Sequence, residues 1–236
     1  LGSVSLVCAG PGDPELLTVR AIALLANADA VVADADVTGI AARYAPEAEL
    51  VPVVNEDGLP LERPARAKKV VEHARTGQTV VRLYSGDPIL DGAIAAEANT
   101  LHRSKIPFEI APGVSVTTGV AAYGGFPLLA GKAKELRIVD ADSVEDWAEL
   151  ASPRLTVVVR DGADKAVEIS KALLAAGRKA DTPIAITRGA TTVEQRTIAS
   201  TLEELPAAVK AAKQAGPGTV VIGEVINSRD KLSWFE

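Results

Sequence analysis

The sequence contains no methionine, a single cysteine and only two histidines among its 236 residues. One cysteine cannot form an internal disulfide, and Cys8 lies in a predicted strand, so we expect a buried, reduced side chain. Because Leu1 is not a methionine, we expect translation to start elsewhere and the chain to be part of a longer protein. His73 and His102 lie on predicted helix faces with charged neighbours, which is typical of surface histidines, and no cluster of ligands indicates a metal site.

Long hydrophobic runs and an excess of positive charge are also missing. No apolar stretch reaches the length of a membrane span, and no signal peptide is recognisable. The formal net charge is −6, which disfavours a general surface for nucleic acids or for anionic membranes. We therefore expect a cytoplasmic protein that acts on a small molecule.

Two common phosphate-binding motifs are incomplete. The turn Gly10–Gly12 resembles the start of a dinucleotide fingerprint, but Glu15 stands where the third glycine is needed. The pair Gly131-Lys132 resembles the end of a phosphate loop, but Phe126 replaces the first glycine and Ala133 replaces the magnesium-binding hydroxyl residue. Neither stretch therefore predicts a nucleotide phosphate site.

What is present is a pair of similar strand-to-turn junctions. The apolar run 80–84 opens into Ser85-Gly86-Asp87-Pro88, and the run 4–9 opens into Gly10-Pro11-Gly12-Asp13-Pro14. Glycine allows the backbone to approach a ligand closely, and Asp87 offers a carboxylate or a helix cap. Ligands of open α/β sheets bind outside the carboxyl ends of the strands, so these two turns predict one shared binding site.

The order of predicted elements indicates an α/β protein with two α/β domains. Strands alternate with helices in the first half, which predicts a mostly parallel sheet. A stretch rich in glycine, proline and alanine at 124–134 suggests domains at 1–126 and 127–236. The second half predicts a mixed sheet, with 194–199 as an antiparallel or edge strand. The predicted strands are 4–9, 30–33, 50–54, 80–84, 108–110, 136–139, 155–159, 183–187, 194–199 and 219–222.

Charged residues supply further candidates, each with a structural alternative. Asp34 and Asp36 follow a predicted strand, where a functional carboxylate could lie, although capping of the next helix explains them equally well. The basic run 63–69 is typical of a solvated helix face. A second basic set could line a cleft and bind an anionic ligand. That set consists of Lys132, Lys134 and Arg137.

Taken together, these pieces resemble the tetrapyrrole methylase family, and the most similar branch is that of the uroporphyrinogen-III C-methyltransferases. The resemblance extends over almost the whole chain. The motifs that carry it are 9–18, Ser85-Gly86-Asp87-Pro88, 112–115 with 121–128, Gln195-Arg196 after Gly189, and 222–226 with 232–235.

The resemblance implies two α/β domains with S-adenosylmethionine in the cleft between them. It also implies methylation of uroporphyrinogen III to precorrin-2, in the sirohaem and cobalamin branch, with Asp34 as proton acceptor and a homodimer as the assembly. Lys132, Lys134 and Arg137 would then meet the carboxylates of the substrate. The residues implied to contact the cofactor are Pro11, Ser85, Gly86, Asp87, Leu90, Ser115, Val116, Asp161 and Gly189.

The chain also departs from the family pattern. The family lysine that donates a proton is absent from 55–58, and the polar motifs expected at 91–94 and 129–131 are changed. Asp161 replaces a methionine that touches the cofactor. The pattern is similar to divergent methylase domains fused ahead of a uroporphyrinogen-III synthase. Two alternatives therefore stay open: a non-catalytic domain that binds cofactor or tetrapyrrole, and a methylase that acts on a later corrin intermediate.

Overall fold

The computed structural model describes residues 1–90 and 92–236. Contacts within the chain divide it into two compact units, Leu1–Val116 and Thr117–Glu236. Part of the changed motif at 91–94 lies outside the described residues, because it begins at Asp91. Within the residues described, no helix has the length and apolar character that crossing a membrane requires.

The first unit is built around a five-stranded parallel sheet. Its strands are β1 (Ser3–Cys8), β2 (Ala30–Ala33), β3 (Glu49–Pro52), β4 (Thr79–Tyr84) and β5 (Phe108–Ala111). The strand order is β3-β2-β4-β1-β5, so β4 and β1 lie at the centre and are almost entirely buried. Both faces of a parallel sheet are covered, which explains why most residues of these strands are apolar.

Helices connect the strands of the first unit: α1 (Val19–Ala26), α2 (Thr38–Tyr44), α3 (Arg63–Arg75) and α4 (Ala93–Arg103). A short 3-10 turn at Pro14–Leu16 precedes α1. Asp13 Oδ1 accepts from Glu15 N at 2.8 Å and Thr18 Oγ1 accepts from Ala21 N at 3.1 Å. Each segment therefore has its own side-chain cap.

The register of the central strands decides where their turns meet. Cys8 of β1 pairs with Tyr84 of β4, and Ala33 of β2 pairs with Leu83 of β4. The chain therefore leaves all three parallel strands at the same edge of the sheet. Asp34 and the two glycine turns follow at this edge.

The second unit contains a mixed five-stranded sheet, as predicted. Its strands are β6 (Glu135–Asp140), β7 (Leu155–Arg160), β8 (Pro183–Arg188), β9 (Arg196–Thr201) and β10 (Thr219–Ile222), in the order β6-β7-β10-β8-β9. Among the hydrogen-bonded neighbours in this sheet, β6 and β7 form the parallel pair and the other pairs are antiparallel. Strand β9 is the antiparallel edge strand that the alternation at 194–199 predicted. The helices that lie between or after these strands are α6 (Ala166–Ala175), α7 (Leu205–Ala212) and α8 (Arg229–Leu232).

Helix α5 (Val116–Gly124) lies in the second unit except for its first residue, because that unit begins at Thr117. The C-terminal segment packs on this helix, and Trp234 Nε1 donates a hydrogen bond to Ala122 O at 3.0 Å. The Tyr123 and Trp234 rings are also in contact, with centroids 5.0 Å apart. The helix therefore belongs to the second unit although it precedes the glycine-rich stretch.

Candidate active site

Asp34, the predicted proton acceptor, lies directly beside the glycine turn that follows β4. Its Oδ2 accepts a hydrogen bond from the backbone N–H of Ser85 at 3.0 Å, and its Oδ1 accepts one from Arg82 Nη2 at 2.6 Å. Nearby, Ser85 Oγ donates to Asp36. Asp34 does not cap the 3-10 turn that follows it through its side chain. The capping alternative is therefore wrong for Asp34, and the carboxylate instead joins two strands.

A buried arginine orients this carboxylate. The side chain of Arg82 has no exposure to solvent, and its Nε lies 3.1 Å from Glu97 Oε2. Its Nη1 donates to Leu83 O at 2.7 Å, and its guanidinium lies 4.1 Å from the centre of the Tyr84 ring. A buried arginine is stable only when its charge is neutralised and its N–H groups are hydrogen-bonded. Asp34 and Glu97 neutralise the charge of Arg82 and accept hydrogen bonds from it.

The ionisation of the buried groups follows from their surroundings. Burial opposes the charged form of Arg82, but the charges of Glu97 and Asp34 outweigh it and raise the pKa of the guanidinium. Burial raises the pKa of the Glu97 carboxyl, and the charge of Arg82 offsets part of that rise. Burial and the charge of Glu97 raise the pKa of the Tyr84 hydroxyl. Arg82 is therefore a permanent cation of this cluster.

Sequence reasoning missed Arg82 and Glu97. Both are charged residues inside otherwise apolar segments, the strand run 80–84 and the alanine-rich helix α4. A charge in a central parallel strand has to be paired, so this interruption was a usable signal.

The two glycine turns meet, as the sequence predicted. Gly10 and Gly86 form an isolated antiparallel bridge, with φ angles of +80° and +67°. A Cβ on Gly86 would lie 3.3 Å from Cγ2 of Val116, which leaves no room for a side chain without movement. The turns therefore expose backbone rather than side chains at the carboxyl edge of the sheet.

The other first-unit residues that the resemblance implies to contact the cofactor lie in the loops that follow β1, β4 and β5. Asp87 Oδ1 accepts from Ile89 N at 3.2 Å and shapes the turn, while Ile89 and Leu90 are 51% and 42% exposed. Pro11 lies next to the bridge, and Ser115 follows β5 immediately before Val116. A glycine turn flanked by accessible apolar side chains suits an adenosine-type ligand, because it offers backbone polar groups and apolar surface together.

Asp161 and Gly189 belong to the second unit. They follow β7 and β8, which both run antiparallel to β10 and therefore end at the same edge of that sheet. Both adopt left-handed φ angles, +48° for Asp161 and +58° for Gly189. Such a φ is unusual for a residue other than glycine and marks the turn at Asp161 as conformationally constrained.

The predicted substrate cations of the second unit are exposed. Lys132 Nζ lies 4.0 Å from Glu224, with the lysine side chain 80% exposed. Arg137 Nη1 lies 3.5 Å from Glu149, and Lys134 is exposed as well. Exposed pairs of this kind contribute little to stability, so these residues are available to a ligand.

The basic run in α3 is only partly the solvated helix face that was predicted. Arg63 and Lys68 are exposed and Lys69 is half-buried, but Arg66 turns inward and its Nη1 lies 4.0 Å from Asp34 Oδ1. For Arg66 the prediction is wrong, because the helix begins at Arg63 and directs this position towards the end of β2.

Comparisons with known proteins show which proteins this chain is similar to in sequence. The family profile described as Tetrapyrrole (Corrin/Porphyrin) Methylases matches residues 3–206. A siroheme synthase of Azotobacter vinelandii is 40% identical over all of this chain and 53% of its own length. A siroheme synthase of Chromobacterium violaceum is 38% identical over 99% of this chain and 52% of its own length. The chain thus spans about half the length of the curated relatives it matches.

Solved structures agree with the family profile. A uroporphyrin-III C-methyl transferase from Thermus thermophilus, complexed with S-adenosyl homocysteine, has a TM-score of 0.76 at 32% identity over 96% of this chain and 99% of that chain. A cobalt precorrin-4 methyltransferase has a TM-score of 0.85, covers 95% of both chains and is 24% identical, which supports the fold alone.

Proposed function

The chain belongs to the tetrapyrrole (corrin/porphyrin) methylases, and from this membership we propose that it methylates uroporphyrinogen III at carbon to give precorrin-2. The observation that carries the proposal is the hydrogen bond between Asp34 and Ser85, which joins a carboxylate to the glycine turn. An acceptor for a proton and a backbone surface for the methyl donor thus lie at one edge of one sheet.

S-Adenosylmethionine, when bound, supplies a methyl group on a positively charged sulfur. The first unit offers it the paired turns at Gly10 and Gly86, the carboxylate of Asp87 and the apolar side chain of Leu90. A carboxylate favours a cationic amino acid moiety, and close backbone approach suits the adenosine. Pro11, Ser115 and Val116 of the same unit complete this set. Asp161 and Gly189 are proposed as cofactor contacts from the family resemblance alone.

The residues of the chain then act mainly by position. Methyl transfer would break the bond between sulfur and the methyl carbon and form a bond from that carbon to a pyrrole carbon, and precorrin-2 requires two such transfers. The proton released from the tetrapyrrole goes to Asp34, whose two oxygens are held by Arg82 and Ser85. A carboxylate fixed in this way acts as a general base without first having to be oriented.

A non-catalytic binding domain is the second candidate that the sequence left open. It was motivated by the absent family lysine at 55–58 and by the changed motifs around the substrate. The retained Asp34 favours catalysis, because Arg82 and Ser85 hold its two oxygens directly beside the glycine turn.

Calorimetry and a turnover assay test the proposal together. We expect the purified chain to bind S-adenosylhomocysteine and to convert uroporphyrinogen III into a product with the absorbance and mass of precorrin-2. Binding without methylated product above a no-enzyme control would support the non-catalytic candidate. Product from a later corrin intermediate, but none from uroporphyrinogen III, would move the enzyme to another step.

We also propose that the chain works as a homodimer. The edge strand β9 and the helix α5, both in the second unit, are the candidate contact elements. Light scattering during size-exclusion chromatography measures the mass directly, and a monomer at micromolar concentration would contradict this proposal.

A further inference from the structure

We propose that Arg66 binds an acetate arm of the tetrapyrrole and so places the reacting ring over Asp34. The inference rests on the proposed function, and it assigns a substrate contact to a residue that the sequence placed on a solvated helix face. The observation behind it is a partly exposed guanidinium whose Nη1 lies 4.0 Å from Asp34 Oδ1.

Arg66 is anchored at one end and open at the other. Its Nε donates to Leu61 O at 2.6 Å, which fixes the direction of the side chain. Among the residues that the structure describes, none accepts a hydrogen bond from its two Nη nitrogens, and 24% of the side chain is exposed. A guanidinium carries five donors, so most of this fork is available to a bidentate acceptor such as a carboxylate.

The loop 55–62 holds this arginine in place. Asn55 Oδ1 accepts from the backbone N–H groups of Asp57 at 3.0 Å and Leu59 at 2.9 Å, which closes a tight turn. Leu61 N then donates to Val53 O at 2.9 Å, so the carbonyl of Leu61 is presented to α3. The loop that lacks the family lysine thus orients a different cation towards the same carboxylate.

The other cation at Asp34 cannot take this role. Arg82 is fully buried, and its donors are engaged by Asp34, Glu97 and Leu83. Arg66 makes only an ion pair with Asp34 and no hydrogen bond, because 4.0 Å exceeds hydrogen-bond range. Of the two arginines, only Arg66 combines exposure with free donors.

The distance selects the kind of carboxylate. Each ring of a uro-type tetrapyrrole carries a short acetate arm and a longer propionate arm. Arg66 lies 4.0 Å from Asp34, the proposed acceptor of the ring proton. When a pyrrole ring lies over Asp34, the short acetate arm of that ring therefore reaches Arg66. A propionate can extend well away from its ring, so it does not need a cation so close to the base.

The test measures tetrapyrrole binding without turnover. Uroporphyrin III and coproporphyrin III, in which methyl groups replace the acetates, are titrated into protein saturated with S-adenosylhomocysteine. We expect Arg66→Gln to weaken binding of uroporphyrin III about tenfold to a hundredfold, the range for a hydrogen bond to a charged group, and to leave coproporphyrin III unchanged. The matched control is Lys68→Gln, an exposed cation of the same helix, which should change neither.

Each result decides the matter. An unchanged affinity for uroporphyrin III in Arg66→Gln, or an equal loss for both porphyrins, would overturn the assignment, since an arginine that only neutralises Asp34 does not distinguish the arms. Should the glutamine variant fold poorly in a thermal melt, Arg66→Lys keeps the charge and must retain the preference for uroporphyrin III over coproporphyrin III. Failure of the unmodified chain to bind S-adenosylhomocysteine would instead refute the proposed function.

Discussion

Asp34 Oδ2 accepts a hydrogen bond from the backbone N–H of Ser85 at 3.0 Å, across 51 positions of sequence. The contact exists because Ala33 of β2 and Leu83 of β4 are paired in register, so the chain leaves both strands at the same level. The candidate base and the candidate cofactor turn are therefore parts of one rigid sheet edge. The predictions below test the parts of that arrangement separately.

Replacing Asp34 should affect turnover and spare the cofactor. We expect Asp34→Asn to lower kcat for methyl transfer about a hundredfold to ten-thousandfold, the usual contribution of a general base. Asparagine retains the shape and one acceptor, so the Kd for S-adenosylhomocysteine should stay within a factor of about two, a change of well under 1 kcal/mol. Glu47→Gln, an exposed carboxylate in the same unit, is the control. Undiminished kcat in Asp34→Asn would remove this residue from the mechanism.

Removing Arg82 should destabilise the first unit strongly. Arg82→Met leaves the buried Glu97 without its cation and Asp34 without its hydrogen-bonded arginine, and breaking a buried pair from one side costs about 3–5 kcal/mol. Urea unfolding should show this loss, and Glu97→Leu added to Arg82→Met should recover a large part of it. Arg20→Met, which breaks an exposed pair with Glu109, should cost less than about 1 kcal/mol. Equal losses in Arg82→Met and Arg20→Met would contradict this account.

Gly86 should matter for cofactor binding more than for folding. Gly86→Ala forces an alanine to φ +67° and places its Cβ 3.3 Å from Val116 Cγ2. Gly58→Ala is matched, because its φ is +77° and nothing lies within 4 Å of the added carbon. Both variants should lose about 1–2 kcal/mol of stability from the left-handed backbone, but only Gly86→Ala should weaken S-adenosylhomocysteine binding in calorimetry. Similar affinities in both variants would separate Gly86 from the cofactor.

The carboxyl of Glu236 should make the stability of the second unit depend on pH. Burial opposes ionisation of its carboxyl, but hydrogen bonds from Gln195 and Thr197 and the charge of Arg229 prevail and lower its pKa. A carboxyl with a lowered folded pKa stabilises above its unfolded pKa of about 4.3, and this stabilisation is lost as the pH falls through the folded pKa.

The corresponding measurement is a thermal melt across pH. Glu236→Gln should lower Tm relative to the unmodified chain at pH 7, and the two values should converge only once the pH falls below the lowered pKa of Glu236, where both side chains are neutral. Glu203→Gln, an exposed carboxylate in the same unit, should track the unmodified chain throughout. A difference in Tm that persists unchanged at low pH would show that ionisation of Glu236 is not the cause.

The sequence alone determined the class of the fold and the location of the turns. Apolar runs in β1 and β4 that open into glycine turns predict buried parallel strands with a ligand site at their carboxyl ends, and Gly10 and Gly86 do meet there. Family motifs then identified the methylase. These features are local in sequence, because a strand, its turn and its caps are specified by neighbouring residues.

Only the tertiary structure decided which charges lie close to Asp34. In the sequence, Arg82 only interrupts an apolar strand, and Arg66 is one of several basic residues on a predicted helix face. Strand register brings Arg82 to Asp34, and the path of the loop before α3 brings Arg66 close to it. The pairing of side chains that lie tens of positions apart depends on register and helix direction, which short sequence patterns do not encode.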